Sequence, residues 1–440
     1  MTGSESIGII LGQAQKVAAE AEVFQMRTEE TPVRFETNRL KQVMSRQGVV
    51  TALRLVKDGR TGFATISGQD GAGEIVAMAL ETAPFGAPAK FTLPARMEYT
   101  GVEVLDPGVE KVSVEEMMGL GQGLIDRLKA HTPEIVCEGA VAKVVAEVRL
   151  VNSRGGAVSF RKSLFVLSME GMVTRDTDML FVGDSEASCR PIRDNETVAR
   201  SIIDQLEHAR RRASVSSGRL PVIFTPRCVA GALMMPLSMG FNGKIVMQGA
   251  SPLGKKLGEK VFSDQFSLYE DATIPFAARS RPCDDEGVPS QRNVLIDRGV
   301  VGCFLYDLQT AALAGTRSTG NGSRATGGLP VTQPSSLVIG EGKTSFEDMV
   351  KDMREGLIVE ELMGAEQGNV LGGDFSGNVL LGYKVEGGEI AGRVKDTMVS
   401  GNIYEALRDI VAVGQRSRWV GGMLKTPPLY LPRLSVVSKG

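Results

Sequence analysis

Turn signals divide this chain so closely that the segments between them fit strands better than a regular strand–helix repeat. Lys57-Asp58-Gly59-Arg60 separates β-type runs at 49–56 and 61–66, and Asn152-Ser153-Arg154-Gly155-Gly156 separates 146–151 from 157–160, with 164–169 continuing the sheet. Asp297-Arg298-Gly299 divides 294–296 from 300–305, and Glu386-Gly387-Gly388 divides 379–385 from 389–394. The 52 glycines suit such turns. Hairpins with occasional helices and no βαβ alternation predict an α+β fold. A chain of 440 residues exceeds one compact core. The small, polar segment 214–219 is the best linker. It separates an N-terminal α+β region (1–213, divisible at about 1–95 and 110–213) from a C-terminal, predominantly antiparallel β domain (220–440).

Apolar spacing predicts an opening helix over 4–21, then strands at 22–27 and 33–36. A helix at 72–82 stops before Pro84, and 94–107 reads as irregular. Ser113-Val114-Glu115-Glu116 is a capping box for a helix reaching His131, which falls in a C-terminal, cationic position. Asp194-Asn195 caps a helix drawn to Arg212, with Arg210-Arg211-Arg212 at its dipole-compensating end and His208 on its solvated face. Beyond the linker come a strand at 220–224 and an apolar helix at 228–239. Further helices follow Thr344-Ser345-Phe346-Glu347, with Thr344 as cap, and Asn402-Ile403-Tyr404-Glu405.

Composition excludes several classes of function. Fifty basic and 52 acidic side chains leave no excess of cations for a phosphate backbone, so direct nucleic-acid binding is not expected. No apolar run is long enough to span a bilayer and the first residues lack a signal-peptide pattern, so the expected location is cytoplasmic, away from membranes. Five cysteines, widely spaced and without Cys-x-x-Cys, argue against a disulfide framework or zinc knuckle. Only two histidines, His131 and His208, leave almost no room for His-based metal or nucleophilic chemistry.

Most motif tests fail. Gly340-Glu341-Gly342-Lys343-Thr344 lacks the first glycine of a phosphate loop, because position 337 is Leu337. Gly68-Gln69-Asp70-Gly71-Ala72-Gly73 follows a hairpin rather than a Rossmann strand. No Gly-x-Ser-x-Gly elbow exists. Asp284-Asp285-Glu286 reads first as solvated turn carboxylates. A hydrolase using Asp284, Asp285 or Asp374 with a hard metal is the lesser alternative. Two polar glycine loops, 317–324 and 372–378, fit either simple turns or the close approach of an extended peptide or neighbouring subunit.

The stretch from Cys283-Asp284-Asp285-Glu286-Gly287-Val288-Pro289 to Ser290-Gln291-Arg292-Asn293-Val294-Leu295-Ile296 resembles the hallmark of the TldD/PmbA family, also called modulators of DNA gyrase. Ser318-Thr319-Gly320-Asn321, Glu361-Leu362-Met363-Gly364, Gly373-Asp374-Phe375-Ser376, Ser400-Gly401-Asn402 and Ile410-Val411-Ala412-Val413-Gly414 match in order. So do Val33-Arg34-Phe35-Glu36 and Asp58-Gly59-Arg60-Thr61-Gly62-Phe63-Ala64 near the start. The resemblance covers nearly the whole chain. It implies a two-part fold, dimers, and a TldD–TldE pair acting as a metalloprotease on unfolded peptides. In that pair the TldD-type subunit holds zinc through His-Glu-x-x-x-His and a cysteine near the C-terminus.

This chain departs from that zinc motif. Aligned from Val222-Ile223-Phe224-Thr225-Pro226, the motif positions read Met234-Met235-Pro236-Leu237-Ser238-Met239, and the region of the C-terminal cysteine reads Trp419-Val420-Gly421-Gly422-Met423. Thioethers are poor ligands for hydrolytic zinc, methionine accepts no proton from water, and Pro236 disturbs a regular helix. The resemblance therefore implies a TldE/PmbA-like subunit with no catalytic residue, metal or cofactor of its own, inactive alone, with zinc only in a TldD-like partner. Gly320, Asn321, Arg324, Asp374 and Ser376 are the candidate contacts to peptide or partner. The alternative is a homodimer that binds peptides or an effector without protease activity.

Overall fold

The computed structural model describes residues 3–68 and 73–439. Its first part is a seven-stranded antiparallel sheet: β1 (Glu20–Glu36), β2 (Arg39–Val43), β3 (Arg46–Lys57), β4 (Arg60–Ser67), β5 (Val136–Asn152), β6 (Ala157–Arg175) and β7 (Asp178–Ser188). The order is β4-β3-β1-β5-β6-β7, with β2 folded back on β1. Asp58 and Gly59 sit at φ 49 and 75, the two left-handed residues that a tight β3–β4 hairpin requires. At the β5–β6 turn the Asn152 side chain accepts from the Arg154 and Gly156 N–H groups at 3.0 and 2.9 Å.

Period-two burial fixes which face of β6 is covered. Ser163, Phe165, Leu167, Met169, Gly171 and Val173 are buried and alternate with more exposed neighbours. Helices Val114–His131 and Glu196–His208 cover this face with Leu124, Ile125, Leu128, Val198, Ile202 and Leu206. Full burial of each such side chain stabilises by about 1.5–3 kcal/mol. A smaller core places helices Gly3–Ala14 and Glu74–Thr82 over β1, β3 and β4 through Ile7, Ile10, Val23, Leu53, Leu55 and Ile75.

In the second part, strands Glu355–Met363, Gly218–Phe224, Leu429–Ser438, Thr397–Asn402 and Asp374–Glu386 pair in that order, and the last pairs back onto the first. The ring closes into a small barrel and so exposes no continuous edge. One pair, 218–224 with 355–363, is parallel and the others are antiparallel. Helix Pro226–Gly240 follows the first barrel strand and packs Val229, Ala232, Leu233 and Leu237 into a core with Phe224, Leu357 and Val359. The two parts share apolar contacts: Ile223, Ile358, Tyr383 and Tyr430 lie in the same cluster as Phe165 and Leu206.

The α+β reading and the Ser113 capping box, with Ser113 Oγ accepting from Glu116 N–H and the Glu116 carboxylate accepting from Ser113 N–H, are borne out. Several boundaries differ from expectation. The first helix ends at Ala14, because residues from Glu20 onward are drawn into pairing with β3 and β5. The runs 22–27 and 33–36 are one strand: Pro32 sits opposite Ala142, and its carbonyl accepts from Met44 N–H at 3.1 Å. The helix expected to reach Arg212 ends at His208. Arg211 and Ala213 instead exchange backbone hydrogen bonds with Arg393, and Arg212 pairs with Asp178 at 2.6 Å. Asp194, rather than Asn195, accepts from the first turn of that helix at 3.0 Å. Ser345, not Thr344, caps the Phe346–Asp352 helix. The glycine motif at 68–73 falls mostly outside the described residues, since 69–72 are not among them. Among the described residues, no helix is long and apolar enough to cross a membrane.

Candidate functional site

The 226–240 helix is placed by the barrel strand before it and by two adjacent carboxylates on the neighbouring strand. Thr225 occupies the N-cap in extended conformation, but its hydroxyl donates to Glu360 at 2.8 Å and accepts from no N–H of the first helical turn. Pro226 takes the first helical position, where its missing N–H costs nothing. Arg227 follows, and a cation in a first helical turn opposes the helix dipole. Two partners hold it: Glu361 at 2.6 Å and the Gly183 carbonyl of β7, which accepts from Nη1. Arg227 thus ties the last strand of the N-terminal sheet to the barrel.

Two cavities flank the Arg227–Glu361 pair. One, of about 320 Å³, is lined by Cys228, Met234, Ala365, Glu366, Val420 and Met423 besides the pair itself. The other, of about 210 Å³, is lined by Glu138, Glu170, Met172, Phe181 and Leu380 besides the pair. Burial pushes the Cys228 thiol well above its ordinary range, and nearby Glu360 and Glu361 reinforce the shift. Burial also raises the Glu361 carboxyl, against the pull of Arg227.

The structure brings Met234 together with Val420, Gly421 and Met423, the segment aligned with the family's C-terminal zinc ligand. Met235 is 44% exposed, Met239 is half-buried, and neither lines this cavity. Met234 therefore faces this cavity and Met239 does not. Pro236 is buried inside the helix, and its carbonyl accepts from the Tyr404 hydroxyl at 3.1 Å. The donors facing the cavity are two thioethers, a thiol that burial keeps protonated, and the carboxylates of Arg227-paired Glu361 and exposed Glu366. Among the described residues no group of three His, Cys, Asp or Glu side chains is placed to hold a metal. This donor set does not fit zinc.

The acidic turn 284–286 is the centre of a buried ionic clamp, not a solvated feature. Asp284 and Glu286 are 2% and 0% exposed. Asp284 accepts from the N–H groups of Glu286 and Val288 at 2.9 Å and from Gly322 N–H at 2.8 Å. Arg54 of β3 reaches Glu22 and Glu286, both at 2.7 Å, and lies 4.2 Å over the Phe91 ring. Arg324 pairs with Glu22 from the opposite side. Several carboxylates therefore share few guanidinium groups out of water. Burial pushes the Asp284 carboxyl up to about 6. It pushes Glu286 up to about 8, with Asp284, Glu22 and Asp307 adding to the rise and Arg54 opposing it.

That clamp absorbs three of the five candidate contact residues. Gly320, at φ 75, lies against the Pro289 carbonyl. Asn321, fully buried, accepts from Thr319 Oγ1 at 2.7 Å and Asn293 Nδ2 at 3.2 Å. Arg324 also donates to the carbonyls of Asp285 and Gly328 at 3.1 Å. Asp374 and Ser376 lie elsewhere, on the barrel strand that pairs with 397–402. Exposed Asp374 accepts from Asn402 Nδ2 at 2.9 Å, and Ser376 is half-buried. No hydrogen bond or ion pair joins the two loops among the described residues.

The polar groups that face open space were mostly not singled out from sequence. Arg227 carried a usable signal, a cation in the first turn after Thr-Pro. Glu360-Glu361, two acids ending the apolar run Leu357-Ile358-Val359, carried another. His208 had been expected on a solvated face. Its ring is half-buried, packed edge-on to Tyr383 with centroids 5.2 Å apart. That burial lowers its pKa.

A closed barrel with an appended helix follows an N-terminal antiparallel sheet in a two-part α+β architecture. Residues 217–438 match the PmbA/TldA metallopeptidase C-terminal domain, and 21–83 match PmbA/TldA metallopeptidase domain 1. The chain belongs to the PmbA/TldD family. It is similar to a structure described as TldE from Thermococcus kodakarensis, with TM-score 0.91 and 25% identity over 98% of this chain and 100% of that one. A Thermotoga maritima structure described as a modulator of a DNA gyrase overlays with TM-score 0.90 at 26% identity, covering 99% of this chain and all of that one. A protein named metalloprotease from Methanothermobacter thermautotrophicus is 25% identical over 94% of this chain and 92% of its own length.

Proposed function

We propose that this chain is a TldE/PmbA-like, non-catalytic subunit that completes the peptide channel of a zinc-bearing TldD-like partner in proteolysis of unfolded peptides in the cytoplasm. The observation that carries the reading is the cavity beside the 226–240 helix. It is lined by Met234 and Met423 in the region of the family's zinc ligands, and its carboxylates, Glu361 paired with Arg227 and exposed Glu366, do not make up the set of three ligands that hydrolytic zinc needs. What remains useful there is shape: a small, largely apolar recess flanked by the Arg227–Glu361 pair.

The test is purification of the tagged chain from its native host, with zinc analysis and an unfolded-peptide cleavage assay. Co-purification of a His-Glu-x-x-x-His subunit, with cleavage by the complex and none by the isolated chain, is the expected result. Stoichiometric zinc and peptidase activity in the isolated chain would overturn it. A zinc-free, inert homodimer that still binds peptides would replace it with the peptide- or effector-binding reading.

A further inference from the structure

A recess of about 420 Å³ lies where the Glu196–His208 helix meets the barrel. It is distinct from the two cavities beside Arg227–Glu361. Phe346 and the His208 ring contribute apolar wall, with His208 backed by buried Tyr383. Two arginines line it, and both are already engaged. Arg200 pairs with Glu196 at 2.8 Å, and Arg418 pairs with Asp184 of β7. Two further carboxylates line it without a direct ion pair among the described residues. Glu360 accepts the Thr225 hydroxyl at 2.8 Å and feels Arg418 and Arg227 only at longer range, and Asp204 is exposed. His208 supplies no balancing charge, because burial favours its neutral form. Burial raises the Glu360 carboxyl, against the Thr225 hydrogen bond and the longer-range pull of Arg418 and Arg227.

An inner carboxylate, an outer carboxylate and an aromatic wall make a complementary environment for an organic cation. Such a ligand would gain a charge-assisted hydrogen bond to Glu360, a longer-range attraction to Asp204, and ring contact along its stem. An anion would meet two unpaired negative groups. We propose that this recess is a binding site for an alkyl guanidinium or ammonium group, with Glu360 as the inner anchor and Asp204 as the outer one. The group could be carried by a free small amine or by a basic side chain of a peptide. The inference does not depend on a protease partner, so it is tested on the purified chain alone.

The experiment is calorimetric titration of the full chain with agmatine, with an acetylated and amidated Gly-Arg-Gly peptide, and with the same peptide carrying citrulline. Citrulline keeps the shape of arginine and removes its charge. Saturable binding of a charged probe, at least tenfold weaker for citrulline and for Glu360→Gln and two- to threefold weaker for Asp204→Asn, is the expected result. Tighter binding of the peptide than of agmatine assigns the site to a basic side chain, and the reverse order assigns it to a free amine. No saturable binding up to millimolar concentration overturns the proposal. So does equal binding of the citrulline peptide. Should Glu360→Gln fail to fold by circular dichroism, Asp204→Asn decides: unchanged affinity there overturns the proposal.

Discussion

The ionic clamp around Glu286 and the cavity around Met234 are built in opposite ways. In the clamp, polar side chains are packed out of water and spent on one another. Arg54 bridges Glu22 and Glu286, Arg324 pairs with Glu22, and Asp284 is saturated by backbone N–H groups. At the cavity, flexible apolar side chains border open space and leave it unfilled. The contrast reverses what residue chemistry alone suggests. Charged, glycine-flanked residues look like contacts for a ligand, yet here they hold the two parts of the chain together. Methionines look like filler, yet they line the recess.

The largest expected effect comes from removing the centre of the clamp. Arg54→Met keeps most of the stem over Phe91 but leaves Glu22 and Glu286 buried without a shared counter-charge. Breaking such a pair costs about 3–5 kcal/mol. Urea unfolding above pH 8, where Glu286 is ionised, should show that loss as a lower midpoint, and an unchanged midpoint there would mean that the clamp contributes little.

The clamp also sets a pH dependence. Glu286 holds its proton up to about pH 8 when folded, against an ordinary value of 4.5. Between those limits the folded chain carries more protons than the unfolded chain, so stability is greatest below the window and falls as pH rises through it. The slope approaches about 1.4 kcal/mol per pH unit for one fully retained proton. Asp284, raised to about 6 from 3.8, adds to the fall in the lower part of the window. Urea midpoints measured from pH 5 to 8 should decline, and Glu286→Gln should flatten the decline. A midpoint that rises across this range would contradict the assignment.

Local signals in the sequence located turns and helix starts well, because these depend on neighbouring residues. Asp58-Gly59 has its two left-handed residues, Asn402 caps the 403–406 helix, and Ser113 with Glu116 forms a reciprocal cap. Strand length and barrel closure were not legible. Thr28-Glu29-Glu30-Thr31-Pro32 reads as a break, yet pairing with β5 carries β1 through it. Which strands flank 218–224 depends on residues more than 100 positions away. The methionine positions were legible only through the family resemblance. The recess beside His208 was not legible, because its walls come from the Glu196–His208 helix, the barrel and the strand that begins at Arg418.

A smaller effect is expected on the cavity side of the comparison. Arg227→Met removes the bridge between Gly183 and Glu361, but the Gly183 carbonyl keeps its 3.0 Å bond from Gln205 Nε2. Glu361 is partly solvated, with 32% of its side chain exposed, so it can recover much of its hydration. A loss of about 1–2 kcal/mol is expected, well below that of Arg54→Met. Equal losses in the two variants would erase the distinction between the regions.

The smallest expected effect comes from writing the zinc motif back in. A chain carrying Met234→His, Met235→Glu and Met239→His regains the residue types of a metalloprotease helix. It does not regain their convergence. Only position 234 lines the cavity, positions 235 and 239 do not, and Pro236 stays between them. The third ligand is missing as well, since the segment facing position 234 ends in Met423. Zinc content after dialysis should stay far below one per chain, and peptidase activity should stay at background. Adding Met423→Cys is the sharper version of the test. If four substitutions produce stoichiometric zinc, the helix is a metal scaffold that has lost only its side chains. If they do not, the backbone around Pro236 has itself been reshaped, and the cavity now serves packing and recognition alone.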